Sequence, residues 1–457
     1  MPVAVVLVAS ADPSTEVPTT WWMTWEAPDG TSTVRYGSET LDRQTPPGDP
    51  SAGIPLVALA GGSTWQWQAV TVAADGTEHA SEVQSFTVAE PPELAPSLVV
   101  DRVDPERSEV AGLAVFAGYS DVLGAAASTG GALAVHPGDG GPPIWWWSVP
   151  AGAITLSPWT ADDAGLWFDV YSEDPVTGVD AALHHMSLDG TTHQAFPVGV
   201  AHHVILPLPP DEVAWIYPHL RPIDVGWSQT DGVRTAPLSD LGNPRDLFDT
   251  HDHMAMPYEA PCGHVFTPYR RGALFPVFEW THGNSLVHLP ESDRFLVYTR
   301  WTDTLYAVDR TTGAVDWQLG GARSDFTWAD GEPLYAGAED PGPWSHAHLT
   351  DAWEGGALVF DNGDHYDPPA SSVVELAWDE EARTVREVWR YSDPDGGYQV
   401  VLGDARRLPG GNVLVAWTAE GRLTEVTREG DVVWEAHSEP ALRVSRVRVL
   451  SLDGVAR

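Results

Sequence analysis

Short apolar runs separated by turn residues recur along the whole chain, and no stretch holds the three-to-four spacing of a long amphipathic helix. In the first part of the chain, Val3 to Ser10, Trp21 to Glu26, Thr33 to Tyr36, Ile54 to Leu59, Thr64 to Val72 and Glu82 to Val88 have strand length and strand residues. Asp29-Gly30 and Asp75-Gly76 between them have the composition of tight hairpin turns. This pattern predicts a β-sandwich over residues 1–91, followed by Glu90-Pro91-Pro92-Glu93-Leu94-Ala95-Pro96, whose prolines make residues 92–96 a stiff linker.

Beyond the linker a unit repeats: a polar start, Leu-Pro, an apolar strand, an acidic residue near a turn, then Gly-x-x-x-Trp. Leu208-Pro209, Leu289-Pro290 and Leu408-Pro409 mark it, followed by the runs Val213 to Ile216, Phe295 to Tyr298 and Val413 to Trp417. Gly313 to Trp317 and Gly430 to Trp434 share the closing element. Repeated four-strand units of this size fit a β-propeller. Candidate starts near residues 108, 154, 203, 282, 348 and 403 give six blades over residues 97–457, and the strand-like tail Ala441 to Leu452 is expected to help close the ring. The fold class is therefore all-β. If His203, His282, His348 and Gly403 begin equivalent innermost strands, histidines far apart in sequence converge on one central channel.

Composition supports this class and narrows the function. The chain has 457 residues, enough for two domains, with 39 Pro, 43 Gly and 22 Trp. It carries 65 acidic against 24 basic residues, net −41, and the basic residues are all arginine. So acidic a chain repels nucleic acid and anionic membranes. Without lysine, Walker-type phosphate binding and lysine Schiff-base chemistry are excluded. Cys262 is alone, so no intrachain disulfide or cysteine metal cluster can form. No run approaches a membrane span of about 20 apolar residues. Val3 to Ala11 ends Ala9-Ser10-Ala11 like a signal-peptidase site but lacks a basic start, and reads as a first strand.

The candidate chemistry lies between Glu279 and Asp364. It comprises Trp280-Thr281-His282-Gly283-Asn284-Ser285, Arg300 after Tyr298, Asp309 to Trp317 running into Gly320-Gly321, Trp344-Ser345-His346-Ala347-His348, and Phe360-Asp361-Asn362-Gly363-Asp364. Two alternatives follow from residue type alone. His251-Asp252-His253 and His346-Ala347-His348 are i, i+2 pairs that a strand would present to one metal ion, with His264 nearby. A propeller that binds a ligand without turning it over is the other. Asp361-Asn362-Gly363-Asp364 has the composition of a turn.

This ordered set resembles the bacterial arylsulfate sulfotransferases. The likeness covers residues about 200 to 450, and the front module, with Trp65 at a position commonly held by tyrosine, resembles a fibronectin type III domain. The family pairs a sandwich with a six-bladed propeller, and the resemblance implies transfer of a sulfuryl group from a phenolic sulfate ester to a phenol through a sulfohistidine. It implies no cofactor, neither nucleotide sulfate donor nor metal, with aryl sulfates and phenols as partners. It also implies a periplasmic or otherwise extracytoplasmic location and leaves a homodimer open. By that resemblance His348 is the nucleophile, His282 and Arg300 hold the sulfuryl oxygens, His203 assists proton movement, and Asn284 positions His282. Trp280 and Trp344, like Trp301 and Trp328 beside the motifs, offer faces to an aryl ring. Two histidines stand where one is expected, so the nucleophile lies at His348 or His346, and His202-His203 carries the same ambiguity. A neutral imidazole near its ordinary pKa of about 6.5 loses activity as it protonates, which predicts a rate falling at acid pH.

Overall fold

The computed structural model describes residues 6–121, 130–155, 157–159, 165–174, 178–223, 226–253, 268–269, 277–335, 342–394 and 397–451. Cys262 and His264 lie outside the described residues. Among the described residues the chain is all β, with three-residue helical turns and no α-helix, and no helix long and apolar enough to cross a membrane.

Residues 9–87 form two sheets. Ala9–Pro13, Trp21–Trp25 and Ile54–Leu56 make one, and Gly30–Gly37 and Thr64–Ala73 are central to the other. Alternation in Thr64–Ala73 turns Trp65, Trp67 and Ala69 inward, where they meet Met23, Trp25, Val34 and Ile54 in one core. Of the first strand expected from Val3, residues 3–5 lie outside the described residues, and among the described ones it starts at Ala9, leaving Val6 and Val8 exposed. Its partner is short: pairing runs from Pro13 opposite Trp21 to Ala9 opposite Trp25, and beyond Trp25 the chain leaves the strand and bends at Asp29.

Among the described residues six more sheets follow between Ser97 and Leu450. In five of them one edge strand leads into a run of strands consecutive in sequence: Ala153–Ile154, Ile205–Leu208, Gly283–Leu289, His348–Trp353 and Asp404–Arg407. The sheet formed by Ala114–Ser120, Gly131–Pro137 and Trp145–Val149 is the exception. Its corresponding edge is Arg443–Leu450, from the other end of the described chain, so no edge strand starts near residue 108. At the opposite flank, Ser97–Val103 pairs with Val432–Glu439 and completes the last sheet.

Apolar cores lie between consecutive sheets. Phe116 and Leu133 of the first meet Leu166 and Phe168 of the second; Tyr171 and Leu183 of the second meet Ile205 and Trp215 of the third. Ile216 meets Leu286, Tyr298 meets Val359, and Phe360 meets Val415 at the next three interfaces. Leu414 and Ala416 of the sixth sheet then pack with Val115 and Ala117 of the first. Fully buried Trp145, Trp215, Trp317, Trp417 and Trp434 fill these layers. Each contributes about 1.5–3 kcal/mol by leaving water, which is the physical role of most of the chain's tryptophans.

Candidate active site

A repeated backbone feature prepares the site. His203, His282, His346 and Leu402 all have left-handed backbones, with φ of 63°, 51°, 53° and 59°, and each lies one or two residues before an edge strand. Such a conformation costs a non-glycine residue about 1–2 kcal/mol, and here it recurs at matching places in four sheets. The matching set is therefore His203, His282, His346 and Leu402, in place of the expected His203, His282, His348 and Gly403. The kink also separates the two histidines of Trp344 to His348. They were expected to face one way as strand neighbours, yet only His348 is in the strand.

Their surroundings differ accordingly. His346 is completely buried; its Nδ1 lies 2.8 Å from Asp364 Oδ2 and its Nε2 3.1 Å from His365 Nε2. Both ring nitrogens are engaged, which suits a structural role. His348 is buried beside Asn362, with Nδ1 2.9 Å from Asn362 Oδ1. The amide cannot be reversed, because Asn362 Nδ2 donates to Gln399 O at 2.6 Å and Leu402 O at 3.0 Å. His348 must then donate from Nδ1, which leaves the lone pair on Nε2. Burial, followed by the charges of Arg300, Arg446 and His282, holds the His348 pKa well below the ordinary histidine value despite the Asn362 bond. The ring is neutral at pH 7. A pattern read as a turn thus supplies the group that fixes the tautomer of a buried imidazole.

The second histidine group is ordered from a carboxylate. Buried Asp231 accepts from Gly283 N at 2.7 Å, from the Thr281 hydroxyl, and from His202 Nε2 at 2.7 Å. His202 Nδ1 in turn lies 2.6 Å from His203 Nδ1. With His202 donating from Nε2 to Asp231 and accepting at Nδ1, His203 donates from Nδ1 and its Nε2 carries the lone pair. The His203 and His282 rings meet edge to face at 4.7 Å. Burial first, then the charges of His282, His202, His348 and Arg446, push the His203 pKa well below normal. His202 and His203 therefore have distinct places, one linked to Asp231 and one next to His282.

His282 Nδ1 is 3.0 Å from Glu279 Oε1, off the line of a directed hydrogen bond. Burial alone would raise Glu279, but the charge and contact of His282, with His202 and Trp301, bring its pKa down to about 2. Arg300 is buried. Its Nη2 donates to Val400 O at 2.6 Å and Asp364 Oδ2 at 3.1 Å, and its guanidinium carbon sits 4.7 Å from the Trp301 ring. Trp301 also meets the His282 ring at 5.4 Å and the His346 ring at 5.0 Å.

Three of the expected assignments change. Asn284 holds the strand of His348 rather than His282: its Nδ2 donates to Ala347 O at 2.8 Å and its Oδ1 accepts from Ser285. Trp344 is fully buried, donates to Asp303 O and packs edge-on to Tyr298, so its faces belong to the core. Trp280 is buried too, and Trp301 is the tryptophan that reaches the histidines. Asp231 was absent from the expected site, His202 stood there only as the alternative to His203, and Asn362 only as part of a turn.

The metal alternative fares differently at its two places. His251 belongs to the helical turn Thr250–Asp252, not to a strand, and its Nδ1 faces Arg221 Nη1 at 2.9 Å. His253 stacks on Phe248. A guanidinium on the His251 lone pair opposes a cation there, and among the described residues no group of three or more His, Cys, Asp or Glu is placed to hold a metal. His346 and His348 diverge as described above.

Residues 230–447 match the family model Arylsulfotransferase (ASST), a span that contains His282, Arg300, His346, His348, Asn362 and Asp231 but not His202 or His203. No curated protein matches the chain. Solved structures share little sequence with it. A protein of unknown function from Bacteroides caccae is 14% identical with a TM-score of 0.42, covering 74% of this chain and 99% of its own. The periplasmic gluconolactonase PpgL of Pseudomonas aeruginosa is 15% identical with a TM-score of 0.41, over 74% and 99%. Apo AztD of Citrobacter koseri is 11% identical with a TM-score of 0.36, over 92% and 99%.

Proposed function

We propose that this chain, whose residues 230–447 match the arylsulfotransferase family model, moves a sulfuryl group from an aryl sulfate to a phenol through a sulfohistidine on His348. The observation that carries this reading is the His348–Asn362 pair: a buried, neutral imidazole whose Nδ1 is committed and whose Nε2 is left as nucleophile. In the first step Nε2 attacks sulfur, the S–O bond to the aryl group breaks, and the phenolate leaves. His282 and Arg300 offset the charge on the nonbridging oxygens, where loss of one preorganised donor typically costs about 3–4 kcal/mol. In the second step His203 Nε2 takes the proton of the acceptor phenol, its oxygen attacks sulfur, and the N–S bond breaks to restore His348. The proton taken by His203 balances the one bound by the departed phenolate. Asp231, through His202, stabilises the His203 imidazolium. Trp301, beside Arg300, is the platform for the aryl ring.

The architecture in this proposal is a fibronectin-III-like sandwich over residues 1–91, a linker over 92–96, and a six-bladed propeller over 97–457. The six successive sheets and the core joining the sixth to the first support it. The family also favours an extracytoplasmic setting and chemistry without nucleotide or metal cofactor.

Incubation with 4-nitrophenyl sulfate, with and without a phenol, tests the reaction. The expected result is ping-pong kinetics and a sulfuryl adduct mapped to His348 by mass spectrometry, lost in His348→Ala and kept in His346→Ala. Turnover by His348→Ala at the wild-type rate would overturn it. Tight binding of aryl sulfate with no turnover would instead identify a binding protein.

A further inference from the structure

Arginine at position 446 is a buried cation without an ion pair. Among the described residues three arginines are buried: Arg300 pairs with Asp364, Arg448 lies 3.4 Å from Asp404, and Arg446 has no carboxylate within salt-bridge distance. Asp404 and Asp169 act on it only from farther away. Its guanidinium makes one hydrogen bond among the described residues, from Nη2 to Asn284 O at 3.0 Å. An unpaired buried charge costs several kcal/mol, and a guanidinium has five N–H donors, so most of its bonding capacity is unused. In a chain of net charge −41 this arrangement is not explained by a shortage of carboxylates.

The backbone shows how the residue arrives there. Ala117 is opposite Val447 and Tyr119 opposite Val444, so two residues, Ser445 and Arg446, face the single Gly118. That is a β-bulge, a device that re-aims side chains. Because of it Val444 and Val447, which simple alternation would put on opposite faces, enter the same core. Arg446 turns the other way, toward Asn284 and the histidines. A Cβ at residue 118 would come within 2.5 Å of Ser445 Oγ, so a larger residue opposite the bulge would have to displace that hydroxyl. The charge of Arg446 reaches both His203 and His348, the two imidazoles assigned to proton transfer and attack.

We propose that Arg446, delivered by the bulge at Ser445–Arg446, is a second arginine of the anion site and binds a nonbridging oxygen of the transferring sulfuryl group. This rests on the proposed reaction but concerns a separate property, equilibrium binding of a tetrahedral oxyanion. Arg300 and Arg446 come from different sheets, so the anion is held from two sides, and Asn284, bonded to both Arg446 and Ala347, ties the second arginine to the strand of His348.

The test measures the affinity of inorganic sulfate by calorimetry for the wild-type protein, Arg446→Gln and Arg446→Lys, alongside adduct formation from 4-nitrophenyl sulfate. Glutamine can still donate to Asn284 O but brings no charge; its sulfate affinity should fall about 10- to 100-fold, the scale of one charge-assisted contact, with lysine intermediate. Unchanged affinity in Arg446→Gln overturns the proposal. Should that variant not fold, Arg446→Lys decides, because a lysine point charge cannot serve Asn284 O and a sulfate oxygen in the same geometry, and wild-type affinity there overturns it equally. Sulfate binding that depends on residue 446 in a protein that never forms a sulfohistidine would end the enzymatic reading and keep Arg446 as an anion ligand. Adduct formation with sulfate affinity indifferent to residue 446 would do the reverse.

Discussion

Replacing Asn362 with alanine isolates the tautomer argument. In the native protein His348 Nδ1–H donates to Asn362 Oδ1 at 2.9 Å, and two main-chain carbonyls hold that amide in place. During attack Nε2 gains a bond to sulfur and positive charge spreads over the ring, so the Nδ1–H bond changes from neutral to charge-assisted. It is stronger in the transition state than in the resting enzyme, which is the condition for affecting rate. A hydrogen bond to a charged group contributes about 1.5–3 kcal/mol, and tenfold in rate corresponds to about 1.4 kcal/mol, so Asn362→Ala should slow the first half-reaction about 10- to 150-fold. The assay is single-turnover release of 4-nitrophenolate, read beside the thermal midpoint. That midpoint should also fall, since the carbonyls of Gln399 and Leu402 lose their donor. Nitrogen-15 NMR of the His348 ring provides a readout that stability alone does not move: the Nδ1–H form should dominate in wild type and not in the variant. A folded Asn362→Ala protein with a burst rate within about twofold of wild type refutes the reasoning.

Three further outcomes are expected. The neutral His348 ring is the reactive form, and burial with nearby cations lowers its pKa well below normal, so the burst rate should hold through pH 6 and fall only in more acidic solution; an acid limb centred at or above about 6.5 contradicts this and would restore the simpler expectation from the sequence. Asp231→Asn removes the carboxylate behind His202 and His203, so transfer to the phenol acceptor should slow while release of 4-nitrophenolate is largely kept; equal loss in both steps would show that Asp231 serves the fold alone. Trp301→Ala should raise the KM for aryl sulfates about 3- to 10-fold, the worth of one aromatic contact, whereas Trp344→Ala should lower the thermal midpoint; the opposite pattern would return the substrate role to Trp344.

How far the sequence could be read depends on what each signal encodes. Strand runs and Gly-x-x-x-Trp elements report local alternation and turns, and local geometry follows them: Thr64–Ala73, Phe295 within Arg294–Thr299 and Val413–Trp417 are strands. The motifs around His282, Arg300 and His348 lie in the span that matches the family model and mark segments whose charges reach one another. They do not report side-chain direction, which depends on backbone exceptions. His346 leaves the strand pattern through a left-handed backbone, and so does not share the face of His348. Asp231-Gly232 has the composition of a hairpin turn, yet it lies within Gly226–Pro237, where glycine is needed because a Cβ would meet Phe248 O at 2.4 Å. Asn362 hides in the same way inside a turn-like run.

Arg446 is the instructive case, because its signal was present in the pattern of apolar residues. The run Arg443-Val444-Ser445-Arg446-Val447-Arg448-Val449 spaces its valines by three and then by two. A uniform strand would require every second position, so the single step of three is the mark of an inserted residue. Read that way, the arginine beside the insertion no longer belongs on the solvent face of an edge strand. Its burial without a carboxylate within salt-bridge distance is what the proposed anion role rests on, and its charge acts on His203 and His348. A break in periodicity thus carries functional content when it moves a charge from water to a site where charge is otherwise costly.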